Sequence, residues 1–198
     1  MTSKDIQHGF GKRAHDIVAL FKDTNKMSTF MRKLEKQGKL DPDRYDRDKY
    51  VGDGFEFLVE LIIKTSQYDN RINIAGYEPV QSDDNGVDGT GLNSLREKCA
   101  IQVKYRSNTM KTLTANEDHL SNFIADAMFK FKIIAPESNT DVPRHYVFTT
   151  AKGLNFYTDN EMFKGFVKCY GIEDLKSLLD NNFHFWDLCR NIASELKK

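Results

Sequence analysis

Four residues between positions 56 and 104 have the types and the order of a site for a divalent cation. Glu56 and Asp88 supply carboxylates, and Gln102 supplies an amide oxygen. Lys104 follows two residues later with an ammonium group. A hard cation held by oxygen ligands neutralises the charge that builds on a phosphate and makes hydroxide from water near neutral pH. The pattern therefore predicts metal-assisted hydrolysis of a phosphodiester bond.

Each residue has a predicted role at this site. Asp88 is the predicted central metal ligand, and Glu56 is predicted to bind the metal directly or through a water molecule. The amide oxygen of Gln102 or the backbone carbonyl of Val103 completes the protein's share of the ligands. Lys104 is predicted to orient the attacking water or to stabilise the developing negative charge.

The helix predicted around Glu56 is apolar on nearly all sides. Residues 55–63 read Phe-Glu-Phe-Leu-Val-Glu-Leu-Ile-Ile, which is the pattern of a helix buried over most of its surface. Glu56 and Glu60 lie four residues apart and therefore on one face, where a buried carboxylate needs a cation as partner. Glu60 has two open interpretations: a second metal ligand, or an ion-pair partner for Lys64 four residues later.

The other site residues lie in a predicted turn and a predicted strand. Residues 72–81 are predicted to be extended, and residues 82–91 are rich in the Gly, Asn and Asp that tight turns require, which places Asp88 in a turn. Residues 99–105 alternate, so that Gln102 and Lys104 emerge on one side while the opposite side packs in the core. The alternating Ile, Val and Tyr favour an interior strand over an edge strand.

A mixed sheet is the predicted centre of the fold. A helix follows the polar strand, with Thr114 and Glu117 as a capping box and an apolar stripe from Leu120 onward. Residues 145–150 form the clearest remaining strand, and two or three short helices finish the chain, the last with a buried stripe that includes Trp186. This order predicts an α/β fold in which helices cover both faces of the sheet.

Residues 1–50 are predicted to form a helical extension, separate from a domain of residues 51–198. Two amphipathic stretches, around Ile17 and around Phe30, indicate the helices of this extension. A charge run at residues 44–49 follows and is predicted to be a solvated linker. The extension is predicted to help in choosing a site on DNA.

The composition is ordinary for a globular protein and excludes several classes. Of 198 residues, 39% are apolar, and the 29 basic and 29 acidic side chains balance, so net charge by itself indicates no nucleic-acid partner. No apolar run approaches a membrane span, and the start lacks the apolar core of a secretory signal, which predicts a cytoplasmic protein without a membrane partner. The three cysteines contain no Cys-x-x-Cys pair and are predicted to be reduced core thiols.

Other hydrolytic chemistries find no support in the sequence. The five histidines are scattered, which disfavours a zinc site. There is no phosphate-binding P-loop and no nucleophile elbow, so neither a nucleotide cofactor nor serine hydrolase chemistry is expected.

Three motifs, in this order, resemble the PD-(D/E)XK nuclease superfamily and in particular its Mrr-like branch. They are Gly-x-Gly-Phe-Glu at residues 52–56, Gly-Val-Asp-Gly at residues 86–89 and Ile-Gln-Val-Lys-Tyr at residues 101–105. The resemblance covers about residues 50–150 and implies a restriction-endonuclease-like fold, with a mixed four-stranded core sheet flanked by helices. It also implies a Mg²⁺ cofactor, for which Mn²⁺ can substitute. The active site that it implies consists of Glu56, Asp88, Gln102 and Lys104.

Two positions depart from the family pattern. Val87 stands where the family's name calls for proline, and Gln102 stands where many members have a carboxylate. The second difference removes a negative charge that would favour metal binding, although the Mrr-like branch commonly has glutamine there.

Together these observations predict a metal-dependent DNA endonuclease. A site-specific enzyme of a phage or mobile element, such as a homing enzyme in the host cytoplasm, is compatible with the chain's size. A homodimer is expected, because cutting both strands of a duplex generally needs two active sites. Two alternatives stay open: a nuclease-like DNA-binding protein that has lost cleavage, and a structure-selective junction resolvase. The predicted substrate-binding residues are Arg106, Lys111, Lys152, Lys12 and Arg13.

Overall fold

The structure of the protein is a computed structural model that describes most of the chain. The described residues are 2–6, 14–40, 47–66, 71–80, 86–114, 120–134, 142–155 and 167–197. The chain forms two compact units, one of Met1–Thr65 with Glu173–Lys198 and one of Ser66–Ile172. The first unit is helical, and the second contains the sheet.

Six α-helices and five strands occur within the described residues. The helices are α1 (Ala14–Phe21), α2 (Met27–Leu40), α3 (Arg47–Thr65), α4 (Leu120–Phe129), α5 (Ile172–Leu179) and α6 (Phe183–Leu196). The strands are β1 (Ala75–Pro79), β2 (Gly89–Leu92), β3 (Lys98–Lys104), β4 (His145–Thr149) and β5 (Val167–Tyr170). None of the helices in these described ranges is long and apolar enough to cross a membrane.

The sheet is mixed, and its strands lie in the order in which they occur in the chain. The pairs β1–β2 and β2–β3 are antiparallel, whereas β3–β4 and β4–β5 are parallel. Helix α4 lies between β3 and β4 in the sequence, as the crossover between two parallel strands requires. The predicted mixed α/β fold is confirmed.

Strand β3 is an inner strand, as its alternating apolar residues predict. On one side Ile101 pairs with Gly89 of β2, and on the other side Gln102 pairs with Val147 of β4. Side chains from Cys99 to Val103 are buried. Because both backbone edges of an inner strand are hydrogen-bonded, β3 is a rigid base for the side chains at its end.

Helix α4 packs on one face of the sheet. Leu120, Phe123 and Ala127 share one side of the helix and form a buried cluster with Ala100 of β3 and Val147 of β4. Full burial of a side chain such as Phe123 stabilises the fold by roughly 1.5–3 kcal/mol. The predicted apolar stripe is therefore confirmed, while the predicted capping residue Glu117 lies outside the described residues.

Strand β2 corrects the prediction that residues 82–91 form a turn. Gly89, Thr90 and Gly91 belong to the strand, while residues 81–85 lie outside the described residues. Glycine disfavours strands because it has no side chain to pack. Here the ring of Tyr77 takes that place, since a Cβ on Gly89 would lie 2.3 Å from its Cε2. Strand β5 is also absent from the predicted elements.

His145, at the start of β4, is a buried imidazole with a low pKa. Burial, and to a smaller extent the adjacent Arg144 guanidinium, lowers this pKa from 6.5 to about 4. As the pH falls below 6.5, the unfolded chain binds a proton that the folded protein binds only near pH 4, so stability is lost through that window. We expect the free energy of unfolding to fall by about 2 kcal/mol between about pH 7 and about pH 5.

Urea denaturation at the two pH values measures this loss. The variant His145→Gln is expected to depend less on pH, because it lacks the buried imidazole. His184→Gln, which removes an exposed histidine from α6, is the matched control for the substitution itself. An equal loss in wild type and His145→Gln would contradict this assignment.

An aromatic core holds the helical unit together. The ring of Phe21 in α1 lies 5.3 Å from that of Phe30 in α2, 6.2 Å from that of Phe57 in α3 and 6.3 Å from that of Trp186 in α6. The indole nitrogen of Trp186 donates to the carbonyl of Leu179 at 2.7 Å. This core therefore joins the first and last helices of the described chain.

The compact units do not coincide with the predicted boundary at residue 50. Helix α3 begins at Arg47, so residues 47–49 of the predicted linker are helical and residue 50 falls inside a helix. Helix α6 belongs to the same unit as α1 and α2. The division into a site-selecting extension and a nuclease domain concerns function and stays a prediction.

All three cysteines lie within the described residues and form no disulfide, which agrees with the predicted reduced thiols, but the predicted core position holds for two of them. Cys99 and Cys189 are buried, and Cys169 is partly exposed. Burial raises the pKa of Cys99 to about 12 and the pKa of Cys189 well above 9.0. Protonated, buried thiols are poor nucleophiles and poor metal ligands, so these two side chains serve packing.

Candidate active site

Asp88 is fixed in place between two strands. Its amide donates to the carbonyl of Ile101 at 2.9 Å, and its carbonyl accepts from the amide of Val80 at 3.0 Å. The side-chain oxygen Oδ2 accepts from the amide of Val103 at 2.6 Å. Both backbone and side chain of Asp88 are therefore attached to the strand that carries the next motif.

Gly86 shapes the turn that leads to Asp88. Its φ of 63° lies in the left-handed region, which favours glycine. A Cβ at this position would lie 3.3 Å from the backbone of Phe123 in α4. The structure thus explains both glycines of the Gly-Val-Asp-Gly motif. Gly86 has a positive φ, and Gly89 lies against the ring of Tyr77.

Gln102 is buried on the α4 side of β3. Only 1% of the residue is exposed, and its Nε2 donates to the carbonyl of Gly86 at 3.0 Å. A carbonyl can only accept a hydrogen bond, so this contact decides which end of the amide is nitrogen. The amide oxygen Oε1 is therefore directed away from Gly86 and is left to act as an acceptor or a metal ligand.

Lys104 is the last residue of β3 and is half-buried. Side chains alternate along a strand, so Lys104 emerges on the same side as Gln102. Oδ2 of Asp88 lies 2.6 Å from the amide of the preceding residue, Val103. Since neighbouring Cα atoms are about 3.8 Å apart, the carboxylate lies within roughly 7 Å of the Lys104 backbone. The structure thus brings Asp88, Gln102 and Lys104 together at the C-terminal end of β3.

Two buried threonines outside the predicted site hold the backbone at this end of the sheet. The hydroxyl of Thr149 donates to the carbonyl of Lys104 at 2.8 Å. The hydroxyl of Thr150 donates to the carbonyl of Arg106 at 2.8 Å and accepts from its amide at 2.6 Å. We call Thr149 and Thr150 the threonine clamp. In the sequence, the clamp is visible only as a Thr-Thr pair at the end of a predicted strand. This pair indicates a role in holding the backbone only when the neighbouring strand is known.

Glu56 and Glu60 lie on α3, in the helical unit. Glu60 is fully buried, and its Oε1 lies 2.8 Å from Nζ of Lys64 one turn later. Lys64 also donates to the carbonyl of Asp5. The ion-pair interpretation of Glu60 is therefore confirmed. Glu56 is partly exposed, and its role as a metal ligand stays a prediction.

Three of the predicted substrate-binding residues lie beside the end of β3. Arg106 follows the strand by two residues and is held by the threonine clamp. The amide of Lys152 donates to the carbonyl of Lys111 at 2.9 Å, so these two exposed lysines are adjacent in space. The other two, Lys12 and Arg13, lie outside the described residues.

The donors at the end of β3 fit a hard divalent cation. An ionised carboxylate has about four lone-pair sites, so Asp88 can accept from the Val103 amide and also bind a cation. Among the side chains that the structure describes, no group of three or more His, Cys, Asp or Glu forms a ligand cluster. The donor set is one carboxylate with neutral oxygens of Gln102 and Val103, which suits Mg²⁺ because it retains several waters.

Comparison of the chain with known proteins identifies no relative. No protein-family model, curated protein or solved structure matches the chain. The resemblance to the PD-(D/E)XK superfamily therefore depends on the three motifs, their order and the arrangement of their residues.

Proposed function

We propose that the protein is a magnesium-dependent DNA endonuclease of the PD-(D/E)XK type, with its active centre at the C-terminal end of β3. One observation carries the proposal: the hydrogen bond of 2.6 Å from the amide of Val103 to Oδ2 of Asp88. It joins the carboxylate of the second motif to the strand of the third motif, beside Gln102 and Lys104. The order of the motifs in the sequence does not by itself require this contact.

The sheet supports the same proposal. The family resemblance implies a mixed core sheet, and β1 to β4 form a mixed sheet with α4 between its two parallel strands. Asp88 directly precedes β2 and Lys104 ends β3, so two adjacent strands of that sheet supply the centre. The fifth strand extends the parallel side and leaves this centre unchanged.

The residues of the centre have distinct tasks in this proposal. Bound Mg²⁺ would neutralise charge at the scissile phosphate and lower the pKa of a water molecule that it holds. Asp88 holds it through a carboxylate whose orientation the Val103 amide fixes. Gln102 offers Oε1, because Gly86 engages its Nε2. Lys104 directs its ammonium to the same side of β3, where it orients the attacking water and stabilises negative charge on the phosphate.

Supercoiled plasmid DNA tests the proposal. The purified protein is expected to nick or linearise plasmid in Mg²⁺ or Mn²⁺ and to leave it intact in EDTA. Gln102→Ala should need about 10–100-fold more Mg²⁺ for its half-maximal rate, as is typical when a group that orients a metal is lost. Nicking in EDTA, or an unchanged metal requirement in a folded Gln102→Ala, would speak against this centre.

A second candidate is a nuclease-like DNA-binding protein that does not cleave. Gln102 favours it, because a neutral amide replaces a carboxylate at a position that binds metal. Such a protein would hold DNA equally well in Mg²⁺ and in EDTA, without nicking. The variant Gln102→Glu separates the two candidates, since cleavage that appears only in the variant would identify a wild type that has lost activity.

We further propose that the cutting form is a homodimer, because each subunit contributes one centre and a duplex has two strands.

Branched DNA beside linear duplex in the same assay distinguishes a junction resolvase from an enzyme of site-specific restriction or homing type. A resolvase would cut the branched substrate in preference.

A further inference from the structure

One loop of the sheet unit presents an exposed methionine. Met110 is 79% exposed, the highest value among the large apolar side chains of the described residues. It lies in residues 106–112, which read Arg-Ser-Asn-Thr-Met-Lys-Thr. We call this segment the Met110 loop. It contains no acidic and no aromatic residue, and all its other side chains can donate a hydrogen bond to a phosphate.

The Met110 loop is anchored at both ends. At its start, the threonine clamp holds the amide and the carbonyl of Arg106. At its end, the amide of Leu113 donates to the carbonyl of Gly153 at 2.7 Å, and the amide of Asn155 donates to the carbonyl of Leu113 at 2.8 Å. The tip is held too, because the amide of Met110 donates to Oδ1 of Asn108 at 3.1 Å. The backbone that carries the exposed Met110 side chain therefore has a defined position.

Basic residues precede and follow this tip along the chain. Lys111 is the next residue, and its carbonyl accepts from the amide of Lys152 at 2.9 Å. Gly171 lies close to the backbone of Lys152, since a Cβ on Gly171 would lie 2.4 Å from the Lys152 carbonyl oxygen. Arg106 stands at the start of the loop, two residues after Lys104 of the active centre. An apolar tip between cations is complementary to nucleic acid, where apolar base faces lie between phosphates.

We propose that the Met110 loop binds duplex DNA through Lys111 and Lys152 at the phosphates and inserts Met110 between neighbouring base pairs, which unstacks one step beside the active centre. This inference rests on the proposed function, which makes DNA the substrate. Proteins that hold single strands stack the bases on aromatic rings, which the Met110 loop lacks. Apolar wedges that kink duplexes include methionine, and its unbranched side chain adapts to the gap it opens.

The wedge gives the enzyme a basis for choosing its sites. Pyrimidine–purine steps unstack more readily than other steps, so the insertion of Met110 favours DNA that contains a flexible step near the scissile phosphate. The selection acts on deformability and needs no hydrogen bond to a base edge.

Short duplexes that carry 2-aminopurine at different positions test the wedge in EDTA, where no strand is cut. The fluorescence of 2-aminopurine rises when the base loses its stacking. At saturating wild-type protein we expect a rise at one or more positions, and we expect Met110→Ala to lose most of it. Met110→Leu should keep the rise, and so should Met128→Ala, which removes a partly exposed methionine from α4.

Each of Lys111→Ala and Lys152→Ala should weaken DNA binding and lower by about 1 the magnitude of the slope of log affinity against log salt concentration.

The outcomes separate this inference from the proposed function. A full fluorescence rise with Met110→Ala, or no rise with bound wild type, would overturn the wedge. Wild-type affinity and salt slope in both lysine variants would overturn the phosphate contacts. Plasmid nicking is scored independently, so an enzyme that cuts in Mg²⁺ without unstacking DNA would keep the proposed function and lose the wedge.

Discussion

Replacement of Asp88 by asparagine is expected to slow plasmid cleavage by about 10²–10³-fold or more, which is the effect of removing a group that stabilises the transition state. Asparagine keeps an oxygen acceptor for the Val103 amide that now lies 2.6 Å from Oδ2, so the local geometry is retained. What is lost is the negative charge that holds a divalent cation. The initial rate of loss of supercoiled plasmid at saturating Mg²⁺ measures the effect.

Matched variants show whether the effect is specific to the centre. Asp126→Asn removes a carboxylate of the same unit, one that pairs with Lys130 at 3.0 Å on α4, and should cleave at the wild-type rate. Lys104→Met keeps the aliphatic stem and loses the ammonium, and it should slow cleavage strongly. Lys98→Met makes the same change at the other end of β3 and should not. Wild-type rates in both Asp88→Asn and Lys104→Met would reject the proposed centre.

The variant Trp186→Ala is expected to lower the free energy of unfolding by about 3–5 kcal/mol, the usual range for a large buried aromatic residue. The indole is fully buried and lies 6.3 Å from the rings of both Phe21 and Phe30. Its removal leaves a cavity between these rings and takes away the donor that the carbonyl of Leu179 now has. Urea denaturation followed by far-UV circular dichroism measures the loss, because Trp186 is the chain's one tryptophan and its fluorescence disappears in the variant.

Two further variants divide this loss into its causes. Phe183→Ala removes a 60% exposed ring from the same helix and should change stability by less than about 0.5 kcal/mol. Trp186→Phe keeps a ring and loses the hydrogen bond, so it should fall between the other two. Equal stability of Trp186→Ala and Phe183→Ala would mean that the aromatic core does not stabilise the helical unit.

Local sequence patterns were sufficient to predict the elements with strong periodicity. The all-round apolar run of α3, the alternation of β3 and the stripe of α4 each indicate one type of secondary structure, because the buried face determines the spacing of the apolar residues. The two short strands gave no such signal. β2 contains two glycines whose packing partner, Tyr77, lies on another strand, and β5 has only four residues. Their strand structure is decided by neighbours that are distant in the sequence.

In the candidate site, too, some features could be predicted from the sequence and others could not. Alternation alone puts Gln102 and Lys104 on one side of β3, and the glycine-rich turn indicates Asp88 as a polar residue beside it. The threonine clamp follows from the register of β3 with β4, in which Lys104 pairs with Thr149, and a single sequence contains no register for parallel strands. The compact units were equally inaccessible, because they depend on packing between residues near the two ends of the chain.

The aromatic core can be completed only late in synthesis, because its last ring lies in α6. Phe21, Phe30 and Phe57 leave the ribosome early, but Trp186 is made only after the whole of the sheet unit, Ser66–Ile172. Domains generally fold as units as they emerge. The residues of the sheet unit are therefore synthesised while the early aromatic rings still lack their last partner. Until α6 packs against those rings, they leave apolar surface uncovered, and such surface is prone to misassociation and to binding by chaperones.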